Sequence, residues 1–435
     1  MPYLPLKFSL LYLFLGQIYF FWGPVEYSIR NTSLFLFYQS SYALAGVFGY
    51  LLGIHIALRL KVVKKNKIFV FNFWIFALLT LFVGLLYNSS LAKSGSLIPY
   101  NIFHFIWGAI SLDLPSLGSI YYERKFIANA DESNLYLSVL IFIFGWAKFF
   151  FIPYVIWHWG LFSAIRRIVS VFLIVLPVFT GLSVGTNKPV FDVALVLLFS
   201  ALSIYFIHRY NNNHKEALRL KRLLRGAILF VIFAVIIFGM GMNSRGVTFD
   251  YIEANSSRGN ITVNSAIPEN EYSVSLVMLG HYLVQGYYGF SLSLNEQFES
   301  TLGFGNSPFL SRQFERITGK DISQNSYQAK IDGEWAQGLR WHSAFAQFAN
   351  DVHFIGVIFV VFIGFFIIAV SWLFAYRYQM MEMVYILPVH GIFVIFLPAN
   401  NQVFSFVDSL STVMVFVFLL SLRVVGPWSK KVQKC

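Results

Sequence analysis

VALVLLFSALSIYFIHRYNNNHKEALRLKRLLRGAILFVIFAVIIFGMGM, residues 193–242, decides the class of fold. Two uncharged apolar runs, 193–207 and 226–242, enclose a polar hairpin carrying Arg209, Lys215, Arg219, Lys221, Arg222 and Arg225. A helix needs about 20 mostly apolar residues to cross a bilayer, so the stretch reads as two membrane helices joined by a short basic loop. Lysine and arginine concentrate in short cytoplasmic loops, which gives the hairpin a side.

The same pattern extends in both directions. Apolar stretches lie near 4–23, 33–58, 68–88, 135–156, 168–185, 191–207, 226–242, 354–375, 381–398 and 404–424. The chain is 57% hydrophobic, 19% aromatic and only 12% charged, with a mean hydropathy of +0.65. Soluble domains carry about 25% charged residues, so a water-soluble fold is excluded and an all-α polytopic membrane protein of about ten spans is predicted. The first span has no small-residue cleavage site of the A-x-A kind after it and is read as a retained helix. Cys435, the lone cysteine, has no intrachain partner, so a disulfide framework is ruled out.

The net charge of +12 sits mostly beside apolar segments. Arg59 to Lys67, Arg166 and Arg167, the 209–225 hairpin, and Arg423 to Lys434 all fall on one side of a ten-span scheme. Topology, rather than nucleic-acid binding, accounts for them. Both termini are then cytoplasmic. PYNIFHFIWGAISLDLPSLGSIYY, residues 99–122, would make an eleventh span, but Asp113 and Pro115 interrupt it and the basic clusters would no longer agree. It is read as re-entrant or interfacial.

Three regions follow: an N-terminal bundle 1–242, an extracytoplasmic loop 243–353, and three C-terminal spans with a basic tail, 354–435. From Asn243 to Asp351 the loop carries 11 acidic and 7 basic residues, a net −4 in a strongly basic chain. A folded, mainly helical outer domain is expected. EYSVSLVMLGHYLVQGYYGFSLSL (271–294) reads as helices lying on the membrane. LGFGNSPFLSRQ (302–313) reads as loop, and RWHSAFAQFANDVHF (340–354) as an aromatic helix running straight into the eighth span.

Walker A, G-x-G-x-x-G, H-E-x-x-H, C-x-x-C and Asp-x-Asp patterns are absent from the sequence. No cofactor or metal is therefore expected. The residues that remain for chemistry are guanidinium groups, imidazoles and carboxylates at the outer face. Arg245 follows the seventh span at headgroup depth, where a planar guanidinium suits a lipid phosphate or acts as an interfacial anchor. Arg258, Arg312, Arg316 and Arg340 lie further along the same loop. His281 and His342 are candidate bases, with Asp351 and Glu334 as carboxylate alternatives. Lys148, in the middle of the fourth span, and His390, between Pro388 and Gly391, are intramembrane ionisable groups, which mark function unless paired. Trp335, Trp341, Tyr282, Tyr287 and Tyr288 form an interfacial belt or stacking platforms for sugar rings.

Many spans, one long outer loop in the second half and the runs GLSVGTNKPVFD (181–192), HYLVQGYYGFSLSL (281–294), FGNSPFL (304–310) and WHSAFAQFANDVHFIG (341–356) resemble the Wzy-type oligosaccharide repeat-unit polymerases of O-antigen and capsular polysaccharide. The resemblance implies glycosyl transfer at the outer face of the bacterial cytoplasmic membrane. The growing glycan would leave its undecaprenyl diphosphate carrier and join the non-reducing end of a new lipid-linked unit. It also implies membrane lipids, a chain-length regulator and a flippase as partners. The related O-antigen ligases look similar in using arginine and histidine of the large outer loop without a metal. Arg245 and Arg340 are thereby expected on the diphosphate and His281 or His342 as base. The rival readings are an O-antigen ligase and a glycolipid flippase or secondary transporter. The last would call for inverted repeats and a midplane site, of which the sequence gives no sign.

Overall fold

The computed structural model describes residues 2–59, 72–94, 96–113, 115–128, 135–254 and 261–432. Its helices, in chain order, are α1 (Leu4–Trp22), α2 (Thr32–Arg59), α3 (Phe73–Ala92), α4 (Tyr100–Ser111), α5 (Leu117–Ala128), α6 (Leu135–Phe144), α7 (Trp146–His158), α8 (Ala164–Ser183), α9 (Lys188–Tyr210) and α10 (His214–Asn243). There follow α11 (Phe249–Ala254), α12 (Glu271–Ser293), α13 (Pro308–Thr318), α14 (Tyr327–Lys330), α15 (Ala344–Tyr378), α16 (Met381–Phe396) and α17 (Val407–Val432). Among the described residues eight helical stretches are long and apolar enough to cross a membrane: α1, α2, α3, α6 with α7, α8, α9, α10 and α15. Two shorter apolar helices, α16 and the Val407–Ser421 part of α17, pack with them. The molecule is an all-α, polytopic membrane protein.

Without water in the bilayer core, every backbone group there must be satisfied within a helix, and side-chain packing alone orders the bundle. The most extensive contact is α2 on α15. Gly46, Gly49 and Gly53 line up on that face of α2: a Cβ at Gly49 would fall on the Phe362 carbonyl, and one at Gly53 would lie 2.7 Å from the Phe366 oxygen. Small residues at this spacing bring the two backbones together.

Contacts sort the connections into two ends. At one end Arg219 donates to the Ile156 carbonyl at 2.8 Å, Tyr50 to that of Pro2 at 2.6 Å, and the Tyr210 and Tyr376 rings lie 3.9 Å apart. The basic loops 159–167 and 209–225 lie here, whereas Lys61, Lys64, Lys65, Lys67 and Lys434 fall outside the described residues. At the other end, two short strands, β1 (Val25–Tyr27) and β2 (Ile261–Val263), pair antiparallel with Val25 opposite Val263. The 243–353 segment is thereby tied to the loop after α1.

Five segments take a shape that differs from, or sharpens, the one expected. The 99–122 segment folds as α4 and α5, twelve residues each, with Leu112 in the left-handed region (φ 59°) between them. Twelve helical residues span about 18 Å, short of a bilayer core. Asn101 donates to Ser183 at 2.7 Å and Tyr122 to the Arg245 carbonyl at 3.2 Å, so both helices are held at the β1–β2 end. The fourth span is broken at Gly145, where an added Cβ would lie 2.7 Å from the Asp408 Cα of α17, leaving no room for a side chain. Residues 271–294 are not helices lying on a membrane surface: α12 is one helix whose 284–293 half is wholly buried, because its aromatic residues face α1, α2 and α15 rather than lipid. Part of the expected 302–313 loop is helical, since Ser307 caps α13 and Pro308 opens it. Finally, 340–354 does not run straight into the eighth span. Ser343 caps α15, and His353 (φ 59°, ψ 162°) breaks that helix between its outer turns and its apolar part.

Gly49→Val is expected to cost about 1–3 kcal/mol by overpacking, read as a lower melting temperature of the purified protein in detergent. Gly226→Val, where nothing lies within 4 Å of the added carbon, should stay within about 0.5 kcal/mol of wild type. Equal losses for the two would contradict the close α2–α15 approach.

Candidate functional site

The chain between α14 and α15 does not form regular structure, yet it is firmly held. Trp335 is fully buried and its indole donates to the Trp341 carbonyl at 2.9 Å. The Ser343 amide donates to the Gly286 carbonyl of α12 at 3.1 Å and the Ala344 amide to the Leu397 carbonyl at 3.0 Å. Gly286 permits this three-way meeting, since a Cβ there would fall on the Pro398 and Ala399 carbonyls. The result is a rigid strap, Arg340–Ser343, clamped between α12 and the 397–406 loop.

That strap forms one wall of a cavity of about 580 Å³ at the β1–β2 end. Arg340, Trp341 and His342 line it together with Arg312 and Glu315 of α13 and with Gln328, Gln347, Asn400 and Ser405. The lining is therefore amides and hydroxyls with two guanidinium groups, the carboxylates of Glu315 and Asp321, one imidazole and one aromatic ring. Such a set suits a hydroxyl-rich ligand, with guanidinium groups available to an anion it carries.

Arg340 is 6% exposed and is supplied with acceptors: the Ile252 carbonyl at 3.0 Å, the Tyr251 carbonyl at 3.5 Å and His281 Nε2 at 3.1 Å, with its guanidinium over Trp335. A guanidinium only donates, so Nε2 of His281 accepts, the proton sits on Nδ1, and Nδ1 donates to the Tyr27 hydroxyl at 2.7 Å. Both ring nitrogens of His281 are thus occupied. Burial, then the neighbouring Arg340 charge, pushes its pKa down to about 3. His281 is a neutral support for Arg340 rather than a free base.

His342 differs. It is 3% exposed, lines the cavity, and neither ring nitrogen has a hydrogen-bond partner. Burial pushes its pKa down to about 3 against an opposing pull from Asp332. An unpartnered neutral imidazole in a polar cavity wall keeps a lone pair for a hydroxyl, and because both ring nitrogens are shielded from solvent a hydroxyl reaches it only with a shift of the wall.

The remaining sequence candidates lie elsewhere. Asp351 accepts at Oδ1 from Thr301 Oγ1 and from the Gly303 and Gly305 amides at 2.9 and 3.2 Å, and at Oδ2 from Asn306 at 2.6 Å. Its carboxylate is committed to the 300–306 loop. Glu334 pairs with Arg30 at 2.6 Å. Arg316 is exposed, and Arg258 lies outside the described residues. Arg245 donates to the Gly185 carbonyl at 2.6 Å and stacks over Tyr121 at 3.9 Å, docking α5 on the turn after α8. It does not line the cavity, but Arg245 and Arg340 are both within electrostatic reach of one phenol. Burial raises the Tyr282 pKa, Tyr251 adds to this, and both arginines pull against it. Trp335, Tyr287 and Tyr288 are fully buried and form no interfacial belt, because Tyr288 packs on Trp335 and Tyr287 on Phe20 and Phe35. Trp341 alone of that set reaches the cavity.

Within the bundle, Lys148 is ion-paired to Asp408 at 2.8 Å and Asp192 at 3.4 Å. His390 meets Ser371 at 3.2 Å on the wall of a separate apolar cavity of about 130 Å³. Sequence reading missed the amide wall, Gln328, Gln347, Asn400 and Ser405, because isolated amides carry no spacing signal. Among the described residues no three His, Cys, Asp or Glu side chains converge. Comparison with protein-family models, curated proteins and solved structures finds no match for this chain.

Two histidines with depressed pKa values have a consequence for stability. The folded state binds fewer protons than the unfolded one between pH 6.5 and about 3, so stability is full above 6.5 and falls as pH drops through that window. Each is expected to withhold about a tenfold factor in the folding constant per pH unit. His342→Gln should therefore flatten the fall in melting temperature between pH 6.5 and 4; an unchanged slope would show that His342 is not held neutral by burial.

Proposed function

We propose that the chain is a membrane glycosyltransferase that joins lipid-linked oligosaccharide repeat units, as the Wzy-type polymerases do, at the outer face of a bacterial cytoplasmic membrane. The observation that carries this reading is the 580 Å³ cavity lined by Arg340, Arg312 and His342 together with amides, hydroxyls, Trp341 and the carboxylates of Glu315 and Asp321. Its place at the end of the bundle away from the basic loops agrees with cytoplasmic termini and an extracytoplasmic site.

In this reading a hydroxyl of the incoming unit attacks the anomeric carbon of the growing glycan. The bond from that carbon to the lipid diphosphate breaks, the diphosphate leaves with its electron pair, and the hydroxyl proton passes to His342 Nε2 or Nδ1. Arg340, with Arg312 of the same cavity, meets the charge that develops on the departing diphosphate. An imidazole held neutral by burial is a weak base while the site is empty. A diphosphate beside it favours the imidazolium, so its proton affinity rises when the reaction needs it. His281 serves by holding Arg340 in place, and the Tyr27 hydroxyl accepts a hydrogen bond from the proton that this arrangement leaves on Nδ1.

The test is the glycan banding pattern of a deletion strain carrying wild type, His342→Ala, Arg340→Lys or Arg245→Ala at equal membrane levels. Wild type should restore a ladder and the deletion should show core with a single unit. His342→Ala and Arg340→Lys should each lose about 10²–10³ in rate and collapse the ladder. Bare core in the deletion would point to a ligase, and an unchanged ladder would favour a transporter.

A further inference from the structure

Four charged side chains with no part in that chemistry, three of them largely withdrawn from solvent and Lys188 half-buried, lie where α7, α9 and α17 meet. Lys148 sits between Asp408 and Asp192, with side-chain exposures of 9, 3 and 10%. Lys188 closes the group on Asp192 at 2.8 Å. Two cations and two anions balance. Each lysine is also over an aromatic ring at 4.0 Å, Lys148 on Tyr87 and Lys188 on Phe406.

The placement of these groups ties them to the cavity. Asp408 is in the first turn of α17 and Phe406 directly precedes that helix, so two contacts of the quartet grip the end of the 397–406 loop and the turn that follows it. Ser409 donates to the Gln402 carbonyl at 2.9 Å, which folds the loop back on the helix. Elsewhere in the loop, Asn401 donates to Asn306 at 2.9 Å, Gln347 to Asn400 at 3.1 Å and Ser405 to Gln347 at 3.1 Å. Asn400 and Ser405 line the cavity. A continuous set of polar contacts thus runs from Lys148 in the membrane bundle to the amide wall of the site. A buried ion pair is a poor source of net stability compared with apolar packing, but it fixes geometry, and breaking one partner leaves an expensive lone charge.

We propose that Lys148 and Lys188 are positioning residues: through Asp408 and Phe406 they hold the 397–406 loop so that Asn400 and Ser405 meet the hydroxyl-rich part of the ligand. The link to glycan transfer rests on the function proposed above. The link to loop geometry does not.

The experiment is hydrogen exchange of the purified full-length protein in detergent, read on peptides covering 397–406 and on α9 and α15 peptides, for wild type, Lys148→Met, Lys188→Met and the double variant Lys148→Met/Asp408→Asn. The same variants are scored for the glycan ladder in the deletion strain. Lys148→Met should speed exchange of 397–406 by about tenfold or more, with α9 and α15 unchanged. Lys188→Met, whose side chain is 23% exposed, should act in the same direction but less, and serves if Lys148→Met fails to accumulate. The double variant removes the lone charge but also the tether, so 397–406 should stay in faster exchange, and its return to the wild-type rate would overturn the proposal. Single variants at normal membrane level with unchanged 397–406 exchange would overturn the proposal, as would faster exchange spread evenly over the bundle. A loosened loop with a full-length ladder would remove its role in the reaction, leaving the glycosyltransferase reading intact. Failure of wild type to restore any ladder would remove that reading, leaving the exchange result to stand.

Discussion

A guanidinium group withdrawn from water has to be given acceptors, and the 243–353 segment is organised around doing so for Arg340. Its partners come from widely separated places: the carbonyls of Tyr251 and Ile252 in α11, the imidazole of His281 in α12, and the ring of Trp335 just upstream. His281 in turn depends on Tyr27 in the strand after α1. One desolvated charge therefore makes β1, α11, α12 and the strap interdependent, since losing any acceptor leaves a buried donor unsatisfied. The cavity inherits its shape from this arrangement.

The bundle obeys a different rule. Lipid offers no hydrophobic drive between helices, so contact is set by how closely backbones approach and where polar groups find each other. The Gly46–Gly49–Gly53 face of α2 supplies the first, and the Lys148–Asp192–Asp408 pairing the second. The Gly145 break serves the pairing, because it lets the backbone of the fourth span approach Asp408 where a side chain would not fit.

Much of the membrane architecture was legible because bilayer thickness imposes a length on every crossing, and residues 193–242 display it openly. The interruption of 99–122 at Asp113 and Pro115 was legible for the same reason. What escaped was decided by partners distant in sequence. The aromatic density of 271–294 looked like a surface for lipid, but α1, α2 and α15 cover it. His281 and His342 looked equivalent, since nothing local reveals that one is engaged by Arg340 and Tyr27 while the other is left unpartnered. Asp351 read as a base, yet four donors from 301–306 claim it. The break at His353 has no glycine or proline to announce it.

The β1–β2 ribbon has a consequence for how the molecule comes to be made. Tyr27 emerges from the ribosome early, but its strand partner begins at Ile261 and its imidazole partner is His281. At about 5–20 residues per second, the ribosome takes on the order of 10–50 s to reach them. Throughout that interval the segment after α1 waits with an open strand edge while the rest of the N-terminal bundle is threaded into the bilayer. Pairing of β1 with β2, and of Tyr27 with His281, is therefore completed only after α2 to α10 have been synthesised.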